Sequence, residues 1–194
     1  MSSSSPYYSI ADLLNAARSK PGALTLGSVG PGTASQLAFE NLRRRAGVDI
    51  TFVPFQGNAP AGPVLLGGHI TATLTDIGSV KEQYKGGLLR PLATTRRQRT
   101  ELHPDVSTVA EGGYNDYEAN VWMGLFTPAK TPDEMISRLG SQFVAALRAP
   151  GIDQKLFTQG LNATGTCGTA FVSMLHDQYE EYGRIVKEAS IKAD

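Results

Sequence analysis

The spacing of apolar and polar positions changes along this chain. Over the first 125 residues, short apolar runs alternate with stretches of helical spacing; beyond them helical spacing dominates. Strand-length runs separated by helical patterns are what a mainly parallel sheet with crossover helices requires. Ser9 is placed to cap a helix over residues 10–19, which the Pro21-Gly22 turn ends. Strands are predicted over 24–27, 50–53, 70–74, 89–94 and 118–126. A helix with Phe39, Leu42 and Ala46 on one face follows the first strand. Arg43, Arg44 and Arg45 lie in its last turn and Gly47 stops it. Cations there complement the helix dipole, so the arginine run reads as structural. Shorter helices are predicted up to Leu65 and over 79–84.

The last third is helical. Thr131-Pro132-Asp133-Glu134 offers a capping-box pair, a proline at the first helical position and acids in the first turn. Ile136, Leu139, Phe143 and Leu147 continue it as an apolar stripe, halted at Pro150-Gly151. A short helix over 152–159 follows. The final helix, 169–189, carries Val172, Leu175, Tyr179, Tyr182, Val186 and Ala189 at three–four spacing, one buried face.

Composition narrows the function classes. With 18 basic and 18 acidic residues, the net charge is zero, and bulk electrostatics favours neither nucleic acid nor an anionic membrane. No apolar run is long enough to span a bilayer. The single cysteine, Cys167, rules out an intramolecular disulfide and a multi-cysteine zinc site. The first five residues, Met1-Ser2-Ser3-Ser4-Ser5, have none of the parts of a secretion signal and read as a tag or linker.

Candidate chemistry lies in the strand-to-helix turns. Gly27-Ser28-Val29-Gly30-Pro31-Gly32-Thr33 joins the first strand to its helix. Glycines allow close backbone approach. The helix's first N–H groups, with the Ser28 and Thr33 hydroxyls, make a site for a carboxylate or phosphate. A tight turn with Thr33 as a simple N-cap accounts for the same residues. The glycine spacing is neither a Walker loop nor the dinucleotide fingerprint. Gly57, Asn58 and Ala59 form a second such turn, and Asp76 follows a third strand. Successive turns in a parallel sheet open on one edge, where ligands bind. Asn58 is also readable as a side chain closing its own turn, and Asp76 as a helix N-cap, the reading its position favours over ligand contact. His69, His103 and His176 lack metal-ligand spacing, and Cys167 has no histidine near it in sequence. No catalytic group, metal site or cofactor is predicted, and Trp122 reads as packing.

These segments, in this order, resemble the periplasmic solute receptors of tripartite tricarboxylate transporters, also called Bug receptors. The likeness is carried by Lys20-Pro21-Gly22, the Gly27–Thr33 turn, Val53-Pro54-Phe55, Gly57-x-Ala59-Pro60-Ala61 and Leu65-Leu66-Gly67-Gly68. It continues through Leu92-Ala93-Thr94-Thr95, Pro104-Asp105-Val106, Thr108-Val109-Ala110-Glu111 and Trp122-x-Gly124-Leu125-Phe126. The resemblance implies an α/β, periplasmic-binding-protein-like lobe with a mainly parallel sheet flanked by helices, plus a helical C-terminal segment. It implies a second lobe over 6–120, and a hinge strand with helices over 121–194 crossing toward a first lobe that is mostly missing. It further implies a periplasmic location, membrane transporter subunits as partners, and a small carboxylate held without chemistry. By position, Ser28, Gly30, Gly32, Thr33, Gly57, Asn58, Ala59 and Asp76 fall on the second lobe's side of the cleft. Val29 and Gln36 depart from the family's usual residues, which implies a shifted ligand preference. The face left open predicts self-association. Two other classes fit the same turn: a small α/β enzyme handling a phosphate or acyl group, and a non-transport sensor module.

Overall fold

A computed structural model of the chain describes residues 1–101 and 103–191. It divides into two compact units, Met1–Asn120 with the chain from Gly183 onward, and Val121–Tyr182.

The first unit is built on three parallel strands, β1 (Thr25–Val29), β2 (Thr51–Phe55) and β3 (Ala72–Thr73), in the order β2-β1-β3. Thr25 to Val29 pair in register with Thr51 to Phe55, and Leu26 and Gly27 with Ala72 and Thr73. Three helices flank the strands in sequence: α1 (Ile10–Ser19), α2 (Ala34–Ala46) and α3 (Ala61–Leu66). At the start of α1, Ser9 accepts from the Asp12 amide while the Asp12 carboxylate accepts from the Ser9 amide, a reciprocal capping box. α2 ends at Gly47, in the left-handed conformation, with Arg43, Arg44 and Arg45 in its last turn.

The core follows from these periodicities. Ile10, Leu13, Leu14 and Ala17 of α1 are buried with Leu26 of β1, Phe39 of α2 and Leu65 of α3. β1, the central strand, is closed over so tightly that a Cβ on Gly27 would lie 2.6 Å from Ile70 Cδ1 and 2.7 Å from Phe55 Cε2. Glycine is required there by close approach. Tyr117, 0% exposed, donates its hydroxyl proton to the Ala38 carbonyl of α2 at 2.9 Å. The serine-rich start pairs with the fold: Ser2 forms an antiparallel bridge with Leu89, Met1 is buried, and Arg90 donates to the carbonyl of Ser3.

Two predicted strands do not form. Over 89–94 pairing shrinks to isolated bridges at Leu89 and at Thr94, the latter with Thr108, because Pro91 has no N–H to donate to a ladder. Over 118–126 the expected hinge strand does not form: the Ala119 amide donates to the Thr95 carbonyl at 2.9 Å, but no ladder continues from it. A 3-10 turn, Ile77–Val80, and α4 (Lys81–Lys85) replace the single short helix expected at 79–84.

The second unit holds α5 (Asp133–Leu147), α6 (Ile152–Thr158) and most of α7 (Gly168–Ala189). α5 begins one residue later than its capping pattern predicts, with Pro132 at the N-cap and no side-chain cap bond. Trp122 packs edge-on against Phe171 with ring centroids 5.4 Å apart, and its Nε1 donates to Gln178 Oε1 at 2.6 Å. No residue of 121–182 is fully buried, and Val121, Met123, Leu125 and Phe126 are exposed. None of Val172, Leu175, Tyr179, Tyr182, Val186 and Ala189, the face expected to be buried along α7, is fully buried; the buried residue of this helix is Ile185, which lies outside that stripe and belongs to the first unit.

Candidate functional site

The parallel register places three strand-to-helix turns on one edge of the sheet, all in the first unit. Gly30 to Thr33 leave β1, Gln56 to Pro60 leave β2, and Leu74 to Asp76 leave β3. In an open α/β sheet this carboxyl edge is where backbone amides and helix N-termini converge.

At the central turn, Thr33 is the N-cap of α2: its hydroxyl oxygen accepts from the Gln36 amide at 3.4 Å and donates toward the Gly30 carbonyl at 2.9 Å. The capping reading of this turn is thus observed directly. The amides of Ala34 and Ser35, the first two residues of α2, lie beyond the reach of any intrahelical carbonyl. The Gly32 amide, on a glycine with φ of 73°, is held by Gln36 Oε1 at 2.8 Å.

Other groups predicted to face a ligand are engaged within the fold. Ser28 is 2% exposed and donates its hydroxyl proton to the Leu74 carbonyl at 2.8 Å, so this hydroxyl joins β1 to the end of β3 instead of reaching the edge. β1 is the central strand and is covered on both faces, so Ser28 is enclosed, which a sequence motif does not reveal. The Gly30 amide donates to the Phe55 carbonyl at 2.9 Å, closing the first turn against the second.

Asn58 and Asp76 behave differently from either local reading. Asn58 Nδ2 donates to Asp76 Oδ2 at 2.7 Å, joining the turn after β2 to the turn after β3. Asp76 occupies the N-cap position of the 3-10 turn, yet its side chain makes no capping bond; the Ser79 amide bonds to the Asp76 backbone carbonyl instead. Gly57, with φ of 94°, and half-buried Asn58 sit beside exposed Ala59 at this rim. Thr75 was not singled out from the sequence: its Oγ1 is shut off from solvent and has no partner.

The remaining candidates lie apart from this edge. His103 meets Tyr84 edge-to-face at 5.1 Å, and burial holds its pKa below the usual histidine value. Cys167 is exposed, and among the described residues no group of three or more His, Cys, Asp or Glu side chains is arranged to hold a metal. No described helix is long and apolar enough to cross a membrane.

This parallel α/β lobe is periplasmic-binding-protein-like, as the solved structures that superpose on it are. Within that class, the chain belongs to the tripartite tricarboxylate transporter family receptors, whose family model matches residues 1–191. It is 29% identical over 191 residues to a UPF0065 protein from the tcbD–tcbE intergenic region of Pseudomonas sp. strain P51, covering 98% of this chain and 57% of that one. The solved structure of a periplasmic transporter superposes with a TM-score of 0.86 at 29% identity, covering 100% of this chain and 64% of the other. An R. palustris protein solved with adipate superposes with a TM-score of 0.80 at 30% identity, covering 98% of this chain and 64% of the other. The chain thus spans under two thirds of the length of these relatives.

Proposed function

We propose that this chain is the ligand-holding lobe of an extracytoplasmic solute receptor, which takes up a small carboxylate in the periplasm and presents it to membrane transporter subunits. The carboxylate docks at the start of α2, against the amides of Ala34 and Ser35. Gly30, Gly32 and Thr33 shape the approach on one side, and Gly57, Asn58, Ala59 and Asp76 on the other. Ser28 acts one step back, by fixing the end of β1.

The observation that carries this reading is the convergence of three turns on one edge around an N-terminus with uncommitted amides. The R. palustris relative solved with adipate supports a carboxylate as the anion. Two amide bonds to a charged oxygen, at about 1.5 kcal/mol or more each, and about 0.5 kcal/mol from the helix dipole total roughly 4 kcal/mol, a millimolar complex. The site holds and releases; it performs no reaction.

Exposed apolar side chains recur along α5 at Met135, Ile136, Leu139 and Phe143, and a contiguous patch of this kind favours association. Self-association of the isolated chain through this helix is part of the proposal. Binding is tested by calorimetric titration of a carboxylate panel into the chain, with matched alcohols as controls. Heats for carboxylates alone support the reading; equal response to the alcohols, or none to either, refutes it.

A further inference from the structure

Residues 118–130 are a stretch that the fold leaves unfinished. Trp122 and Phe126 lie with ring centroids 6.2 Å apart, and both pack on Phe171, at 5.4 and 5.6 Å. A Cβ on Gly124 would lie 3.1 Å from Trp122 Cζ3 and 3.0 Å from Phe171 Cζ, so the glycine sits under the same rings. Trp122, Gly124 and Phe126 thus share one face. Val121, Met123 and Leu125 alternate with them and are 59%, 79% and 68% exposed. That alternation is the pattern of a strand covered on one face only. The ladder is what is missing: among the described residues, no backbone N–H or C=O of residues 120–127 has a hydrogen-bond partner in the chain. An apolar, uncharged segment with free backbone groups is a template for another strand.

The charges around it select that strand. Residues 119–129 carry none, and the stretch is bounded by Glu118 and Lys130, six residues to either side of Gly124. Both are exposed, and neither has an oppositely charged partner among the described residues. Two identical strands related by a two-fold axis pair antiparallel. Centred on Gly124, that pairing sets Glu118 of one copy opposite Lys130 of the other, at both ends. It also sets Trp122 against Phe126 and Met123 against Leu125, so the aromatic face and the exposed apolar stripe each meet themselves. Pro128, with no N–H to donate, falls near the end, where a ladder can stop. A second copy of the chain therefore complements this segment in charge as well as in apolarity. We propose that two copies of this chain join through residues 118–130, paired antiparallel about Gly124. This seam goes beyond the association along α5 and is independent of the carboxylate site.

Sedimentation of the 194-residue chain over a concentration series measures the dimer constant. Glu118→Lys alone, or Lys130→Glu alone, turns two opposite-charge pairs per dimer into two like-charge pairs. Each should weaken dimerisation about tenfold. Combining both exchanges restores opposite charges and should return the constant to within about twofold of its original value. That recovery also shows that neither single exchange unfolds the chain. Register is read by oxidation in a Cys167→Ser background, which removes the exposed native thiol. A mixture of Met123→Cys and Leu125→Cys chains should form a disulfide-linked pair, because the two positions face each other. Either chain alone should link slowly, across the longer diagonal. A chain that stays monomeric throughout, single exchanges without effect, or a double exchange no better than the singles overturns the proposal. So does a dimer abolished by Leu139→Glu in α5 yet indifferent to the charge exchanges, which assigns the contact to α5 instead. The carboxylate reading stands in every one of these cases, since none touches the start of α2.

Discussion

Ser28 Oγ donates to the carbonyl of Leu74 at 2.8 Å, tying the central strand to the residue just past the end of β3. Ser28 is buried and Leu74 half-buried, so Ser28→Ala leaves a partly enclosed carbonyl without this donor. The expected loss is about 1–3 kcal/mol of unfolding free energy in urea denaturation. A loss below about 0.5 kcal/mol, the scale of a neutral surface change, contradicts this role.

Gly27 lies beneath Ile70 and Phe55, and a methyl group there meets both. Gly27→Ala should cost about 1–3 kcal/mol by overpacking. Ile70→Val removes the nearest clashing atom, so the double variant should be less destabilised than the two single losses added together. Strict additivity in a double-mutant cycle refutes the packing argument.

At the start of α2, Gln36 Oε1 occupies the Gly32 amide that an incoming carboxylate would otherwise engage. Gln36→Ala frees that donor. Carboxylate affinity should rise severalfold, while stability falls by about 0.5–1 kcal/mol through the lost capping contact. Calorimetry and thermal unfolding measure the two effects separately. Weaker binding by Gln36→Ala shows instead that Gln36 contacts the ligand.

The fold was readable wherever its causes are local. Ser9 and Asp12 cap α1 from three residues apart, and Arg43, Arg44, Arg45 and Gly47 mark the end of α2, so both helices lie where periodicity places them. The strands expected over 89–94 and 118–126 do not form, because a strand exists only through its neighbour: Pro91 interrupts pairing in the first, and the second finds no pairing strand. The glycine turns were visible for the same local reason. The destinations of their protons were not: Ser28 to Leu74 and Gly30 to Phe55 are tertiary contacts across many residues. For Asn58 and Asp76 the sequence offers local roles or a place at the ligand edge, but not their bond to each other, because nothing in it pairs residues on turns separated by a helix and a strand.

Acid should weaken the segment that closes on Glu111. The Thr108 amide, and then Arg99, hold the Glu111 carboxyl below its ordinary pKa of 4.5. The unfolded chain therefore takes up this proton more readily than the folded one. The contribution is present above about pH 4.5 and lost as pH falls through the lowered folded value. Asp12, held down by the Tyr8 amide and then by Ser9, has the same sign. Glu111→Gln should flatten the decline of the thermal midpoint below pH 4.5, and Asp12→Asn should flatten what is left. An unchanged acid slope in the double variant contradicts the assignment.

The most direct test of the account is where a carboxylate lands. Titration of the isotope-labelled chain with a small dicarboxylate should shift the amides of Ala34 and Ser35 most, with Gly57 and Asn58 moving on the same binding curve, and leave α5 and α6 unmoved. Saturable shifts confined to α5–α7, or no saturable shift at millimolar ligand (~1–10 mM, the range set by the estimated binding energy), would contradict a carboxylate site at the sheet edge.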